Sequence, residues 1–300
     1  MKILISGSTG LVGSAFVPAV QSNRHEVIAL VRSSTAAQSR QGSIIWDPLS
    51  GKLDPAPLEG IDATVHLAGE NIAARRWTPT QKTRIRESRV AGTCLLAETL
   101  AKLTEPPRVL VCASAIGFYG DRGDQVLNED SPPGTGFLAD TCRDWEAAAK
   151  PAADRGVRVV HLRTGIVLAS GGGALAKMLP AFRLGVAGII GSGKQFMSWI
   201  SLADLISAIS YALSNETLRG PVNAVAPNAV TNYEFTKTLG RVLGKPTLFP
   251  MPAFVARLAF GEMADELLLA STRVEPKRLL DSGFRFGFPK LDAALAHAIQ

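Results

Sequence analysis

The sequence predicts an α/β protein built on a doubly wound parallel sheet, followed by a small, mostly helical carboxyl-terminal domain. Over residues 1–165, apolar runs of strand length alternate with helical patterns. The first of these runs stops at a glycine-rich turn that leads directly into a helix. From Thr231 onward, helical patterns separated by prolines replace the alternation. These observations define the predicted fold class.

The predicted strands are compact apolar runs, typical of buried parallel strands. They cover residues 2–6, 26–31, 43–46, 63–69, 108–114, 157–162 and 222–226. The main predicted helices cover residues 11–22, 80–102, 139–153, 174–184 and 202–213. Since parallel strands joined by helices form one sheet, we expect a ligand at the carboxyl ends of these strands.

We divide the chain into two predicted domains. A Rossmann-type nucleotide-binding domain takes residues 1–167 plus 200–226, and a substrate-side domain takes residues 168–199 plus 227–300. The helical tail is short and discontinuous, so we expect it to cover the ligand edge of the sheet and form one side of a cleft.

Composition narrows the class of protein. The chain of 300 residues is 46% apolar, which is enough for a large core, and it has no apolar run of the roughly 20 residues that cross a bilayer. We therefore expect no membrane segment and a cytoplasmic location. The net charge of +6 suits an anionic ligand, but the basic residues are scattered without interleaved aromatics, which argues against nucleic-acid binding. Cys94, Cys112 and Cys142 form no C-x-x-C motif, so we expect reduced thiols and no metal.

The glycine-rich turn is Gly7-Ser8-Thr9-Gly10-Leu11-Val12-Gly13. Because it lies between a strand and a helix, it presents free backbone N–H groups and the positive end of the helix dipole to one point. That arrangement predicts a phosphate site, and its context matches the dinucleotide-binding fingerprint.

Arg32 and Ser33 follow the second predicted strand, where an NAD-binding protein places an acid. No acid occurs between Glu26 and Asp47. A guanidinium and a hydroxyl suit the 2′-phosphate of NADP, so we predict NADP(H) in preference to NAD(H). The alternative is a surface arginine that merely ends the strand.

Two further stretches belong to the predicted cofactor site. Small residues in Leu67-Ala68-Gly69 let the backbone approach the cofactor closely. Arg84 and Arg89 follow on the next predicted helix and could reach a phosphate from the other side, although exposure explains either one equally well.

Several motifs resemble an extended short-chain dehydrogenase/reductase of the sugar-nucleotide epimerase kind. They are the glycine turn, His66-Leu67-Ala68-Gly69, Phe118-Tyr119-Gly120 and residues 162–168. More narrowly, residues 68–72, 142–146, 191–200 and 261–264 resemble an atypical group of that family, and this similarity covers the whole chain. The resemblance implies that Arg32, Arg84 or Arg89, and Leu67-Ala68 contact NADP.

The same resemblance implies a Ser or Thr and a Tyr-x-x-x-Lys pair in active relatives, where they orient the carbonyl and move a proton. In this chain those positions fall on Ala115, Leu138 and Cys142. Ser114, on the opposite face of the strand, and Tyr119 are the substitutes that we predict as catalytic residues. Glu70, Asp121 and Lys194 are weaker candidates, and we expect these three residues and Tyr119 to lie on loops that face the cleft.

Two functions remain open. The first is hydride transfer by an epimerase or reductase acting on a nucleotide-sugar or small carbonyl compound. The triple glycine of residues 171–173 could hold a second phosphate of such a ligand, or could simply be a flexible connection. The second is a catalytically silent NADPH-binding regulatory or sensor protein.

Overall fold

The computed structural model describes residues 1–32 and 42–300. In chain order its strands are β1 (Lys2–Ser6), β2 (Glu26–Val31), β3 (Ile44–Asp47), β4 (Lys52–Leu53), β5 (Ala63–His66), β6 (Val109–Ala115), β7 (Val126–Leu127), β8 (Arg158–Thr164), β9 (Ile166–Leu168), β10 (Phe196–Met197), β11 (Trp199–Ser201), β12 (Gly220–Ala224), β13 (Val230–Thr231) and β14 (Arg273–Val274).

Eight strands form one sheet in the order β12-β8-β6-β5-β1-β2-β3-β4. Pairs from β12 through β3 are parallel, and β4 pairs antiparallel with β3 at the edge. The chain leaves β1 toward β2 on one side and later returns to β5 on the other. The carboxyl ends of β1 and β5 therefore border the crevice in which doubly wound sheets bind ligands. The predicted fold class is confirmed.

The helices lie against both faces of the sheet and over its ligand edge. In order they are α1 (Leu11–Ser22), α2 (Pro79–Ala101), α3 (Phe137–Ala147), α4 (Lys150–Asp154), α5 (Gly173–Arg183), α6 (Leu202–Ser214), α7 (Asn232–Leu243), α8 (Ala253–Phe260), α9 (Glu262–Ala264), α10 (Lys277–Asp281) and α11 (Leu291–Ile299). A 3₁₀ turn spans Ile116–Tyr119 and a π-helical turn spans Asp265–Leu269.

Side chains alternate along each strand between two cores. Ile3 and Ile5 of β1 pack with Phe16 of α1 in the core on one face. Leu4 packs with Leu96 of α2 in the core on the other face. Strands buried on both faces explain why the sequence shows continuous apolar runs there.

The single helix predicted for residues 139–153 is wrong. The structure has two helices, because α3 ends at Ala147 and α4 begins at Lys150. Pro151 occupies the first turn of α4, a position that proline favours, and it could not continue α3.

A separate core joins the helices beyond the sheet, with Leu179 of α5, Phe235 of α7 and Leu295 of α11. Leu279 and Phe284, which fall in the range predicted for the substrate-side domain, pack instead in the core beneath the sheet. The carboxyl-terminal residues therefore contribute to the core of the sheet and to the separate helical core. The predicted division into two domains stays a prediction.

Within the two described ranges, no helix is long and apolar enough to cross a membrane. The same residues contain no cluster of three or more His, Cys, Asp or Glu side chains that could hold a metal ion.

Candidate functional site

Glycines shape the turn between β1 and α1. Gly7 has a φ of +73°, in the left-handed region that favours glycine. A Cβ on Gly7 would stand 2.7 Å from the carbonyl carbon of Leu67 and 2.8 Å from the amide nitrogen of Ala68. A Cβ on Gly13 would stand 2.2 Å from the carbonyl oxygen of Gly7. The turn can therefore pack on itself and on the end of β5 only because these positions lack side chains. We term residues 7–13 and 67–69 the cradle.

The N-terminus of α1 stays open in this arrangement. Gly10 is the N-cap residue, no side chain caps the helix, and its first turn has no acid. Thr9 and Gly10 are exposed, whereas Leu11 and Val12 are partly buried. Free amide groups and the helix dipole make this point favourable for a phosphate. The cradle fits the pyrophosphate of a dinucleotide.

Arg32 directly follows β2 and is exposed at the carboxyl edge of the sheet. Its guanidinium can pair with a 2′-phosphate, and the sequence places no acid nearby along the chain to repel one. Ser33, the other residue predicted here, lies outside the described residues.

A buried hydrogen-bond chain supports the cradle from below. The Ser6 hydroxyl lies 2.6 Å from Nδ1 of His66 and accepts a hydrogen bond from the Ala68 N–H at 3.3 Å. Ser6 and His66 are completely buried, and burial lowers the pKa of His66 to about 4, so the ring is neutral near pH 7. The neutral ring can accept the Ser6 proton, which leaves the hydroxyl oxygen free to hold Ala68.

Sequence reasoning missed this support. The available signal was that Ser6 and His66 both end apolar runs that become neighbouring strands, where they stand directly opposite each other.

Of the two arginines predicted on α2, the structure brings Arg89 to the cradle. Its guanidinium carbon would be 3.4 Å from a Cβ placed on Gly69 and lies 5.0 Å from the ring centre of Trp145. Its Nη1 donates a hydrogen bond to the Ile85 carbonyl at 3.0 Å. Arg84 is exposed on the same helix.

The positions that the resemblance assigns to the usual catalytic residues meet at one corner of the site. Ala115 ends β6, and a Cβ on the nearby Gly117 would stand 3.2 Å from Cβ of Leu138 and 3.9 Å from Sγ of Cys142. Alanine and leucine have no proton to transfer, and burial raises the pKa of the Cys142 thiol to about 12. This corner therefore lacks a group suited to acid–base work near neutral pH.

The expectation that Tyr119 lies on a loop facing the cleft is wrong. Tyr119 ends the 3₁₀ turn after β6 and is completely buried. Its hydroxyl donates to Oδ1 of Asn223 at 2.7 Å and accepts from Nη1 of Arg163 at 3.0 Å. Burial raises its pKa above the ordinary value. A sealed hydroxyl with two partners has no access to a substrate in the cleft.

Ser114 belongs to the same buried cluster. Its hydroxyl donates to Oε1 of Glu146 at 2.7 Å, and Glu146 also accepts two hydrogen bonds of 2.8 Å from Arg163. Burial alone would lower the pKa of Arg163, but its hydrogen bonds and charge interaction with Glu146 raise it overall. We term Ser114, Glu146, Arg163, Tyr119 and Asn223 the interior network. It engages both predicted catalytic side chains in structural contacts.

The three weaker candidates occupy different surroundings. Oδ1 of Asp121 accepts hydrogen bonds from the backbone N–H groups of Gly123 at 3.2 Å and Ser271 at 3.1 Å, which is a structural role. Glu70 is partly buried and lies within electrostatic range of Arg89. Lys194 is exposed.

A second open helix N-terminus borders the cradle. Gly172 is the N-cap residue of α5, which has neither a side-chain cap nor an acid in its first turn. A Cβ on Gly172 or Gly173 would stand 3.2 Å from a Leu11 methyl group. The start of α5 therefore lies beside the start of α1, an arrangement suited to a ligand with a second phosphate.

The segment 70–77, which follows the cradle, makes hydrogen bonds with both α5 and α8. Lys177 of α5 donates a hydrogen bond to the Ala73 carbonyl, and Arg76 donates to the Leu258 carbonyl of α8 at 3.2 Å. Trp77 donates its indole N–H to the Ile72 carbonyl at 2.7 Å. The segment is thus held between α5 and α8.

Glu266, in the π-helical turn, caps α3. Its two carboxylate oxygens accept hydrogen bonds from the N–H groups of Phe137 and Leu138, each at 2.8 Å. Gly136, with a φ of +107°, makes room, since a Cβ there would stand 2.9 Å from Oε1 of Glu266. The carboxyl-terminal part of the chain therefore fixes the start of the helix that carries Leu138 and Cys142.

The fold and the cradle together define a dinucleotide-binding protein of the doubly wound α/β class. Comparison with known families is more specific. Residues 3–224 match the model of the NAD dependent epimerase/dehydratase family, and the chain belongs to that family. Residues 251–298 match a domain of unknown function, DUF1731.

Similar proteins occur in distant organisms. An epimerase family protein of Mycobacterium bovis is 43% identical over 296 residues, covering 99% of this chain and 97% of that protein. The human epimerase family protein SDR39U1 is 38% identical, and the match covers both chains completely.

Two solved structures are similar throughout this chain. The crystal structure of human SDR39U1 with NADPH has a TM-score of 0.91 and 37% identity, with complete coverage of both chains. A structure of the nucleoside-diphosphate sugar epimerase from Corynebacterium glutamicum has a TM-score of 0.82 and 39% identity, and the match covers this entire chain and 58% of that one. The human structure agrees with the NADP(H) preference predicted from Arg32.

Proposed function

We propose that the protein binds NADP(H) in the cradle and acts as an oxidoreductase of epimerase or reductase type on a nucleotide-sugar or small carbonyl compound. The observation that carries this proposal is the glycine turn packed against Leu67 and Ala68, with Arg32 at the end of the next strand. The NADPH in the structure of human SDR39U1 supports the choice of cofactor. The similarity to the nucleoside-diphosphate sugar epimerase of Corynebacterium glutamicum supports a nucleoside-diphosphate sugar as substrate.

The residues would share the work as follows. The N-terminus of α1 holds the pyrophosphate, Arg32 pairs with the 2′-phosphate, and the backbone of residues 67–69 lies along the cofactor. The N-terminus of α5, beside Leu11, receives the diphosphate of a nucleotide-sugar. This second phosphate position favours a nucleotide-sugar over a small carbonyl compound.

When bound, NADPH supplies a hydride to a carbonyl carbon of the substrate and becomes NADP⁺. The carbonyl oxygen then takes up one proton to give the alcohol. The Leu138 side chain has no proton to give. Burial raises the pKa of the Cys142 thiol, which makes this thiol a poor proton donor. The remaining candidate donors of this proton are Glu70, Lys194 and water admitted to the cleft.

Turnover is the direct test. Purified protein is mixed with NADPH and a panel of nucleotide-sugars, oxidised nucleotide-sugars and small carbonyl compounds, and the loss of reduced nicotinamide is followed by absorbance. We expect oxidation with at least one compound that is lost in Gly10→Val, because a side chain at the exposed N-cap blocks the phosphate. Bound NADPH that no compound oxidises would contradict the enzymatic part of the proposal.

A second candidate function is that of an NADPH-dependent sensor. The observation that favours it is the corner formed by Ala115, Leu138 and Cys142, which lacks the usual acid–base groups. A sensor must change with the oxidation state of its ligand. Hydrogen exchange measured with NADPH and with NADP⁺ should then differ in the segment 70–77 and in α8. Identical protection in both states would exclude this function.

A further inference from the structure

The corner beside the cradle continues into a row of apolar side chains. Leu138 belongs to the corner, and Phe137 precedes it at the start of α3. The ring of Phe137 lies 5.1 Å from the ring of Trp77, in an edge-to-face contact. The Trp77 indole N–H donates a hydrogen bond to the Ile72 carbonyl at 2.7 Å. Leu138, Phe137 and Ile72 are only partly buried, so the row borders open space between the corner and the segment 70–77.

The row reaches the exposed face of α8. Arg76 donates to the Leu258 carbonyl at 3.2 Å, and a Cβ on Gly261 would stand 3.2 Å from Nε of Arg76. Leu258 and Phe254 lie one helical turn apart on the same face of α8 and are 75% and 70% exposed. Six apolar residues thus follow one another from the corner to the surface, and we term them the apolar path: Leu138, Phe137, Trp77, Ile72, Leu258 and Phe254.

The outer end of the path is unusually apolar for a protein surface. Phe260, at the end of α8, is exposed as well. Single exposed apolar residues are ordinary, whereas a group of large ones marks a binding surface. The segment 70–77 begins directly after Gly69 of the cradle, so this surface is continuous with the cleft. A ligand held in the cleft can therefore cover it.

Polar side chains beside the path already have partners. Oδ1 of Asn71 accepts a hydrogen bond from the Ala73 N–H at 2.9 Å, and Lys82 pairs with Glu262 at 2.7 Å. Both carboxylate oxygens of Glu266 are bonded to N–H groups at the start of α3. A site that selects sugar hydroxyls aims polar groups at them. The apolar path presents hydrocarbon and aromatic surface instead.

We propose that the carbonyl substrate carries an apolar chain, which lies along the apolar path with the carbonyl group at the corner. The inference rests on the proposed function and narrows its substrate, because an alkyl or aryl chain replaces sugar hydroxyls at the reacting end. The start of α5 can still hold a phosphate of the same compound. Each methylene group that leaves water for the path strengthens binding.

Unreactive carbonyl analogues test the path without turnover. Linear primary amides of increasing chain length, from butanamide to octanamide, are titrated calorimetrically into protein saturated with NADPH. An amide presents a carbonyl group that the hydride does not reduce. We expect the affinity to rise about two- to fourfold with each added methylene group. Affinities that do not depend on chain length would overturn the inference.

Variants of the exposed face locate the chain. The double variant Phe254→Ser, Leu258→Ser should bind octanamide about 10-fold or more weakly than the wild-type protein, and butanamide should change less than about threefold. Leu49→Ser removes an 81% exposed leucine between β3 and β4, and it should leave both affinities unchanged. Thermal unfolding without ligand shows whether the variants are folded. Equal losses for the two amides in the double variant would contradict a chain that reaches α8.

A second copy of the chain is the competing occupant of the exposed face. Sedimentation of the wild-type protein and of the double variant detects such a pair. A wild-type dimer that the double variant abolishes, together with unchanged amide binding, would assign the face to that copy and overturn the inference.

The outcomes also separate this inference from the proposed function. Amides that bind according to chain length, with no carbonyl compound that oxidises NADPH, would overturn the proposed catalysis and support the apolar path. Oxidation of NADPH by a nucleotide-sugar, with amides that do not bind, would overturn only the apolar path.

Discussion

Arg32 is the single residue on which the cofactor preference depends. It is exposed at the end of β2, so its removal should not disturb the core. Arg32→Ala should weaken NADPH binding about 10-fold or more, because a charge-assisted contact of roughly 1.5–3 kcal/mol is lost. NADH, which has no 2′-phosphate, should bind as before. Fluorescence titration with both cofactors measures this, and equal losses would show that Arg32 is not the selector.

His66 gives the protein a predictable response to acid. Burial holds its pKa near 4, against an ordinary value of 6.5. The unfolded chain takes up this proton as pH falls through 6.5, whereas the folded protein resists until about 4. The contribution of His66 to the free energy of unfolding is therefore complete above pH 6.5. About 3 kcal/mol of it is lost as the pH falls from 6.5 to about 4.

Chemical denaturation at neutral pH and near the folded pKa of His66 tests this response. Between these two pH values, the free energy of unfolding of the wild-type protein should fall by about 3 kcal/mol more than that of His66→Asn. His297→Asn, which removes an exposed histidine, should behave like the wild type. The same acid sensitivity in His66→Asn would show that other groups cause it.

Among single residues, the sequence identified those whose role depends only on their neighbours along the chain. The glycines of the cradle and Arg32 are identified by their distance from a strand end. His66, Glu146 and Arg163 were missed as a group because their roles depend on which strands become neighbours. Tyr119 was misplaced for a related reason, since a motif does not state how deeply its aromatic ring is buried.

At the scale of elements, the interior network fastens three strands to α3. Arg163 of β8 is nearly inaccessible and pairs with Glu146 of α3, whose side chain is only 13% exposed. Removing one member of a buried pair leaves the other uncompensated, so Arg163→Met should lower the free energy of unfolding by about 3 kcal/mol or more. Arg86 of α2 forms an exposed ion pair with Asp144, which lies on α3 like Glu146. Arg86→Met breaks this pair and should lower the free energy of unfolding by less than about 1 kcal/mol. Similar losses in the two variants would contradict the importance of the network.

Glu266 joins the carboxyl-terminal segment to the start of α3. Glu266→Ala removes two hydrogen bonds to the Phe137 and Leu138 N–H groups, and these amides should then exchange with solvent at least about 10-fold faster. Glu262→Ala, which removes a more exposed ion pair with Lys82, is the matched control. Unchanged exchange at Phe137 and Leu138 would show that the cap does not hold the helix.

The larger elements were predictable because each has its own periodicity. The parallel strands of the sheet and helices α1, α2, α5 and α6 were predicted within a few residues of their observed bounds, whereas the antiparallel edge strand β4 was not predicted. Strands of two or three residues, such as β7 and β14, show no periodicity and form because they pair with each other across the chain. The break between α3 and α4 was signalled by Pro151 and was overlooked.

For the whole molecule, the alternation of strands and helices was sufficient to predict a doubly wound sheet. The way the carboxyl-terminal segment wraps around it was not predictable, since contacts such as Glu266 with α3 join residues more than a hundred positions apart. The same long-range packing leaves Ala115, Leu138 and Cys142 together at the corner beside the cradle. The molecule thus combines a doubly wound sheet with a glycine-rich cradle at its carboxyl edge, and Ala115, Leu138 and Cys142 lie beside that cradle.

The central claim is that this cradle binds NADP(H). Calorimetric titration of the purified protein with NADPH and, separately, with NADH tests it most directly. We predict one NADPH per chain, bound about 10-fold or more tightly than NADH, and no binding of either to Gly10→Val. Tighter binding of NADH, or NADPH binding that survives in Gly10→Val, would contradict the account.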